Sequence, residues 1–475
     1  MTGKIIEINP VTRVEGHGKV TIQLDEAGDV ASARFHNTQF RGFERFCQGQ
    51  VFWEMPNITT RICGICPVSH QLASAKACDA ILGVELTRPG KLLRELLHQA
   101  QYIQSHALHF FHLASPDFLL GFDSNPATRN VIGLIGADPG LATEAVKLRS
   151  FGQTIIKKLG GKKIHMNAAC PGGMTTALKV EDRDAFLKQI DWAIGDAQLA
   201  VKIFKDYVGK NQAMVDTFAT FPSAYMGMVD ENNNLALYDG NLRLIDSKGV
   251  VLEEQFNPAK YLDIIAEHVE DWSYMKFPFY KSLGYPGGIY RAGPLGRLNV
   301  CNGITTPLAN AELKNFKKLS KFGFVEGSMY FHYARLIELI YCIERAREIL
   351  EDKDVTSTDL QVNSTKYNEH GVGVVEAPRG TLFHDYWVDE TGKITGVNLI
   401  VATGNNNAAM NRSVYEVARD YIKKGNVTEG ILNRVEVAIR CYDPCLSCST
   451  HALGQMPLLI QLRSPEGEIV KEIYS

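Results

Sequence analysis

The chain has 475 residues, 45% of them hydrophobic, enough to bury a large core, and its length alone would permit two or three domains. Fifty basic side chains stand against fifty-three acidic ones, a formal charge of −3, so the charge balance calls for neither nucleic acid nor an anionic membrane as partner. The start, MTGKIIEINPVTRVEGHG, has no basic segment followed by an apolar one, and no window offers the roughly 18 apolar residues of a membrane span; a cytoplasmic chain is expected unless a partner carries an export signal.

Residues 4 to 40 alternate apolar and polar side chains around Asp25-Glu26-Ala27-Gly28, which predicts a hairpin bordering the core. From Ser69 onward the period becomes helical. Leu92, Leu93, Leu96, Leu97, Ala100, Ile103, Ala107, Phe110 and Phe111 share one side of a long helix over Lys91 to Ala114. The same period recurs at 143–158, 181–208, 328–350 and 411–424, joined by Pro- and Gly-rich stretches at 170–173 and 284–297. Helices are expected to dominate the middle. Strand character returns between Gly371 and Thr403, around a turn at Asp389-Glu390-Thr391-Gly392. The expectation is a mainly α chain with peripheral β-sheets, an α+β helix-bundle domain, because two metal-type motifs at opposite ends must meet inside it.

Ten cysteines are too sparse for a disulfide scaffold, and four fall into two C-x-x-C pairs. In Cys63-Gly64-Ile65-Cys66-Pro67 the Gly permits a tight turn and the Pro starts a helix. Asp443-Pro444-Cys445-Leu446-Ser447-Cys448 repeats the arrangement, with His451 three residues beyond the second Cys. Zinc ribbons and knuckles close a short local loop, whereas most of the chain separates Cys66 from Cys445, so these thiolates would be assembled by the whole fold. Ligand count alone does not choose among nickel, zinc and an iron-sulfur cluster.

The stretches R-I-C-G-I-C-P-V-S-H at 61–70 and D-P-C-L-S-C-S-T-H at 443–451 resemble the paired signatures of nickel-iron hydrogenase large subunits. P-V-T-R-V-E-G-H at 10–17, R-G-F-E at 41–44, E-A-P-R-G at 376–380 and A-L-G-Q-M-P after His451 extend the likeness over nearly the whole chain. Within the family the chain is most similar to cytoplasmic, bidirectional, NAD-linked members, through 104–130, 276–291 and 401–411. The resemblance implies Cys63 and Cys445 as terminal nickel ligands, with Cys66 and Cys448 bridging nickel to an iron bearing carbon monoxide and cyanide. It implies heterolytic hydrogen cleavage, with Glu15 as first proton relay and Arg379 reaching over the metals. Without the motif, Glu15 would read as a solvated charge and Arg379 as a loop ion-pair residue.

By the same resemblance, Thr403 donates to a cyanide, Asp443 contacts Arg379, and His70, one helical turn after Cys66, hydrogen-bonds a bridging thiolate. Glu44, the carbonyl of Leu399 and His451 would hold a magnesium ion. Ser105 and Ala402 stand where many respiratory relatives have Asp and Pro, which makes the canopy over the metals less acidic. Cys47, Cys78, Cys170, Cys301, Cys342 and Cys441 read as small buried side chains.

Residues 452–475 read as a small hairpin around Ser464-Pro465-Glu466-Gly467. The family implies that they are an extension to the catalytic domain 1–451, cut between His451 and Ala452 by a maturation endopeptidase. It also implies an iron-sulfur small subunit and diaphorase subunits carrying FMN and iron-sulfur clusters and using NAD(H), since this chain has no second cysteine cluster for electron exit. An electron-bifurcating assembly using NAD(H) and ferredoxin fits the same subunit. A hydrogen sensor, a structural subunit and a zinc scaffold are the other readings; the intact set of four cysteines weighs against the second.

Overall fold

The computed structural model describes residues 4–320, 323–450, 459–464 and 468–474, with the backbone alone described for 459–461, 463 and 472–474. At its centre lie two long helices, Arg88–Leu108 and Tyr330–Glu351, nearly every side chain of which is buried. The first is started by Pro89 and capped by Thr87, whose hydroxyl accepts the N–H of Gly90. Pro139–Gly160, Val180–Thr217 and Pro67–Leu82 pack around this pair. Gly83, in the left-handed region, ends the last of these.

All five expected helices are present, with ends displaced by several residues. The one expected to run to Ala114 changes its winding: His109–Ala114 is a π turn, after which Ser115–Leu119 resumes the α form. Pro116 has no N–H to give the preceding turn, and the Ser115 hydroxyl donates instead to the carbonyl of Phe111.

The middle of the chain departs from the sequence expectation of helix. Residues 224–291 carry a four-stranded sheet in the order Tyr290–Arg291, Ala224–Val229, Asn241–Ile245, Val251–Phe256, and a two-stranded one from Ile265–Val269 and Lys276–Tyr280. Ala224–Val229 is buried at every position, so its side chains show none of the alternation that marks a half-exposed strand. Gly293–Val300, at the end of a stretch read as a connection, is a helix, as are Pro307–Lys317 and Glu429–Tyr442.

The expected amino-terminal hairpin, Gly18–Leu24 with Val30–Asn37, gains a third antiparallel strand, Ile5–Ile8. His370–Ala377, Gly380–Val388 and Ile394–Ile400 form an antiparallel sheet whose first strand lies against Pro67–Leu82. That approach requires Gly373, because a Cβ there would come within 2.0 Å of the Ala73 carbonyl oxygen. The expected terminal hairpin is also present, Leu459–Arg463 pairing antiparallel with Ile469–Tyr474. Among the described residues the larger of two apolar clusters includes residues from Val11 to Cys448 and so joins segments distant in sequence; the smaller lies around Met226, Tyr290 and Phe383.

Candidate metal centre

Cys63 follows the 3-10 turn Thr60–Ile62, and Cys66 stands at the amino-terminal end of the helix that Pro67 starts. The loop between them is held from below: the amides of Gln101 and Gln104 both donate to the carbonyl of Ile65, at 2.8 and 2.7 Å. This turn directs the N–H groups of Ile65 and Cys66 at the Cys63 sulfur, at 3.2 and 3.4 Å.

The second pair follows the helix Glu429–Tyr442, which ends at Asp443 in the left-handed region, φ 54°. The segment then pairs with the amino terminus, Cys445 forming a parallel bridge with Glu15, and the N–H of Leu446 donates to the Glu15 carbonyl at 3.1 Å. Asn37 donates its amide to the Leu446 carbonyl, and the Thr403 hydroxyl accepts the N–H of Cys445.

These supports bring the Sγ atoms of Cys63, Cys66, Cys445 and Cys448 within 4.8 Å of one another, all buried. Cys63 lies 3.1 Å from Cys445, Cys66 3.6 Å from Cys448, and Cys445 2.8 Å from Cys448. Hydrogen bonds from Cys445, Cys448 and Cys66 hold the Cys63 thiol well below its ordinary value, whereas burial pushes Cys445 and Cys448 well above theirs. One thiolate is thus stable here without help, and a bound cation is what would let all four ionise. The donor set suits a soft or borderline transition metal.

Cys66, Cys445 and Cys448 line a small cleft together with His70, Ala377, Pro378, Arg379, Leu382, Ala402 and Thr403. Its polar side chains besides the cysteines are His70, Arg379 and Thr403. The buried Arg379 guanidinium gives Nε–H to the Asp443 carbonyl at 2.6 Å, one Nη2 bond to the Asp443 carboxylate and one Nη1 bond to the Ser105 hydroxyl. The Thr403 hydroxyl, having accepted from Cys445, keeps its own proton for the cavity.

His70 Nε2 lies 3.4 Å from Cys448 Sγ. Its Nδ1 faces His384 Nε2 at 3.1 Å, and His384 Nδ1 faces the Tyr386 hydroxyl. Neither His384 nor Tyr386 was singled out from the sequence, although the alternation of Gly380–Val388 puts both on one face with Leu382. Glu15 is half-buried beside Cys445, and its carboxylate is held by the backbone N–H and hydroxyl of Ser447. Ser447 was also passed over; its place between the two cysteines was the available signal.

Glu44 is buried beside the carboxyl end of Ile394–Ile400, where its Oε1 accepts the N–H of Leu399 at 2.8 Å. The Thr450 carbonyl accepts the N–H groups of Arg41 and Gly42, which brings Thr450 near Glu44. His451 and Ala452 lie outside the described residues. Of the six other cysteines five are buried, as expected, and Cys170 is only half-buried.

A helix bundle in which two distant C-x-x-C turns close on one buried site defines a metalloprotein whose centre is a product of the whole fold, not a local zinc staple. The family described as nickel-dependent hydrogenase matches residues 41–127 and 202–451, and one described as HoxL-like matches 5–40. The chain is 45% identical to the NAD-reducing hydrogenase HoxS subunit beta of Cupriavidus necator, over 99% of each chain. It is 42% identical to an F420-non-reducing hydrogenase subunit of Methanothermobacter thermautotrophicus, over 98% of this chain and 99% of that one. The fold is similar to that of an NAD+-reducing [NiFe]-hydrogenase in the H2-reduced state, with a TM-score of 0.92 and 42% identity over 95% of this chain and all of that one. The chain belongs to the nickel-dependent hydrogenase family and is an enzyme of that kind.

Proposed function

We propose that this chain is the catalytic large subunit of a nickel-iron hydrogenase that cleaves hydrogen reversibly and heterolytically, passing electrons to an iron-sulfur small subunit and then to a flavin and iron-sulfur module that uses NAD(H). The observation that carries the reading is the buried group of four cysteines beneath the Arg379 guanidinium. Likeness to the NAD-reducing subunit of Cupriavidus necator supports the NAD-linked part, and a cytoplasmic location goes with that acceptor. The 42% identity to an F420-non-reducing subunit supports the hydrogenase part of the reading, since that name gives no acceptor.

Cys63 and Cys445 would hold nickel, and Cys66 and Cys448 would share it with iron. The bound pair of metals would supply Lewis-acid activation of hydrogen. Glu15, whose main chain is paired with Cys445 and whose carboxylate is half-exposed, takes the proton from the buried site toward the surface. Arg379 and Thr403 line the cleft and carry donors, which suits small ligands ending in an acceptor atom, such as cyanide on the iron. Asp443 orients Arg379, and His70 steadies Cys448. Glu44, the Leu399 carbonyl and His451 would hold magnesium, the nearness of Glu44 to Leu399 being the support. A maturation endopeptidase would cut between His451 and Ala452 and release residues 452–475.

The test is elemental analysis together with infrared spectroscopy of protein from its native host with the tail removed. One nickel, one iron and bands of both carbon monoxide and cyanide are expected, with NAD reduction by hydrogen in the complex that copurifies. Zinc alone, without such bands, would refute the reading.

A further inference from the structure

Arg297 is wholly buried in the helix Gly293–Val300, and all five of its N–H bonds are used. Nε donates to Glu338 Oε1 at 2.6 Å and Nη2 to Glu338 Oε2 at 2.8 Å, while Nη1 donates to Glu376 Oε2 at 2.7 Å. The remaining two go to main-chain carbonyls, of Ala377 at 2.9 Å and Pro378 at 3.2 Å. The next residue is Arg379.

The clamp extends on both sides. The other oxygen of Glu376 accepts the N–H of Met228 and the hydroxyl of Thr381, and its carbonyl accepts the Tyr102 hydroxyl and faces His98 Nε2 at 2.8 Å. The carbonyl of Arg379 takes the amide of Asn406. Gly293, at φ 78°, presses on the same segment: a Cβ there would lie 2.7 Å from the Arg379 carbonyl oxygen. The four consecutive carbonyls from Glu376 to Arg379 are therefore each held by a side chain. His106 closes the arrangement, its Nε2 3.0 Å from Glu338 Oε2 and its chain neighbour Ser105 accepting from Arg379.

Buried ion pairs are weak evidence for stability, since desolvation offsets much of their attraction. Here the donors left after the carboxylates are satisfied point at the main chain that carries Arg379. We infer that Arg297 is a positioning residue for Arg379, clamping the Glu376–Pro378 main chain so that the Arg379 guanidinium stands at the cavity wall between Ser105 and Asp443. The inference rests on the reading of Arg379 given under Proposed function. A lysine ammonium has three donors on a point charge and does not span two carboxylates and two carbonyls.

The test is a double-mutant cycle on the metal-loaded complex. Arg297→Lys is expected to lower kcat about tenfold or more while leaving the KM for hydrogen within about twofold, and to shift the cyanide bands in the infrared. In an Arg379→Lys background the same substitution is expected to change kcat by less than about twofold and to leave the bands in place, because the effect runs through Arg379. Equal losses in both backgrounds, or an unshifted spectrum with parental kcat, overturn the assignment. Glu338→Gln keeps the side-chain shape, removes the charge opposite Arg297 and decides the matter where Arg297→Lys does not fold, with nickel content and melting temperature followed in each protein. A parent complex without nickel or cyanide bands instead refutes the reading of the centre, and that measurement comes first.

Discussion

Ser447 holds the carboxylate of Glu15 with two donors, its backbone N–H at 3.1 Å on one oxygen and its hydroxyl on the other. Lying directly before Cys448, Ser447 ties Glu15, the proton acceptor proposed above, to the loop that carries two of the sulfurs. Glu15→Gln keeps the shape and removes the basic oxygen; hydrogen oxidation is expected to fall by about 100-fold or more with nickel retained. Ser447→Ala should give a smaller loss. Parental turnover in Glu15→Gln would move the proton route elsewhere.

Cysteine-to-serine exchange separates the four sulfurs from the others. Cys445→Ser is expected to leave the purified chain with little or no nickel, because the hydroxyl is neither soft nor acidic enough to replace a thiolate. Cys170→Ser, at a half-buried position away from the four-sulfur group, should retain the parental metal content. Elemental analysis of both proteins, prepared identically, is the measurement.

Acid should weaken the fold through buried imidazoles. Burial pushes His98 down to about 3 and His106 to about 4, against an ordinary value of 6.5. Both stay neutral in the folded protein where the unfolded chain would take up protons, so unfolding binds protons in this range. Their contribution is complete above pH 6.5 and is lost as pH falls toward 4 and 3. Melting temperature is expected to drop across that window, and His98→Gln, whose amide can still donate to the Glu376 carbonyl, should make the drop shallower. A flat profile would contradict neutral burial.

Two glycines offer a contrast in stability. Gly373→Ala puts a methyl group into the Ala73 carbonyl and should destabilise by about 1–3 kcal/mol, more if the sheet cannot shift. Gly195→Ala, in the helix Val180–Thr217 with open space at the Cβ position, should stabilise by about 0.5–1 kcal/mol. Denaturant unfolding of the two variants beside the parent measures both.

The long helices were legible because their apolar period is local, and the two cysteine turns because C-x-x-C with Pro or Gly at fixed places is local too. What escaped was set by contacts between distant segments. Ala224–Val229 lost its alternation to burial on both faces. Gln101 and Gln104 resemble an exposed polar face, yet both are buried, because their amides meet the Ile65 carbonyl. For His70 the helical spacing brings the ring to the cysteine group, and its 3.4 Å approach to Cys448 joins segments that no spacing within residues 61–70 could relate. Arg379 and Asp443 came from motif resemblance, and the bonds between them are as expected, whereas the Arg297 clamp behind them leaves no local trace.

Cys63 and Cys445 are 382 positions apart, yet their sulfurs lie 3.1 Å from each other. A ribosome therefore delivers one half of the binding site 382 positions before the other. During synthesis the first pair of thiols has no second pair to meet, and the groove formed by Glu15, Thr403 and Asn37 waits for the strand that fills it. Order of translation thus completes the four-sulfur group only once the Asp443–Cys448 segment has emerged and docked, and an ion held by all four sulfurs is bound no earlier than that.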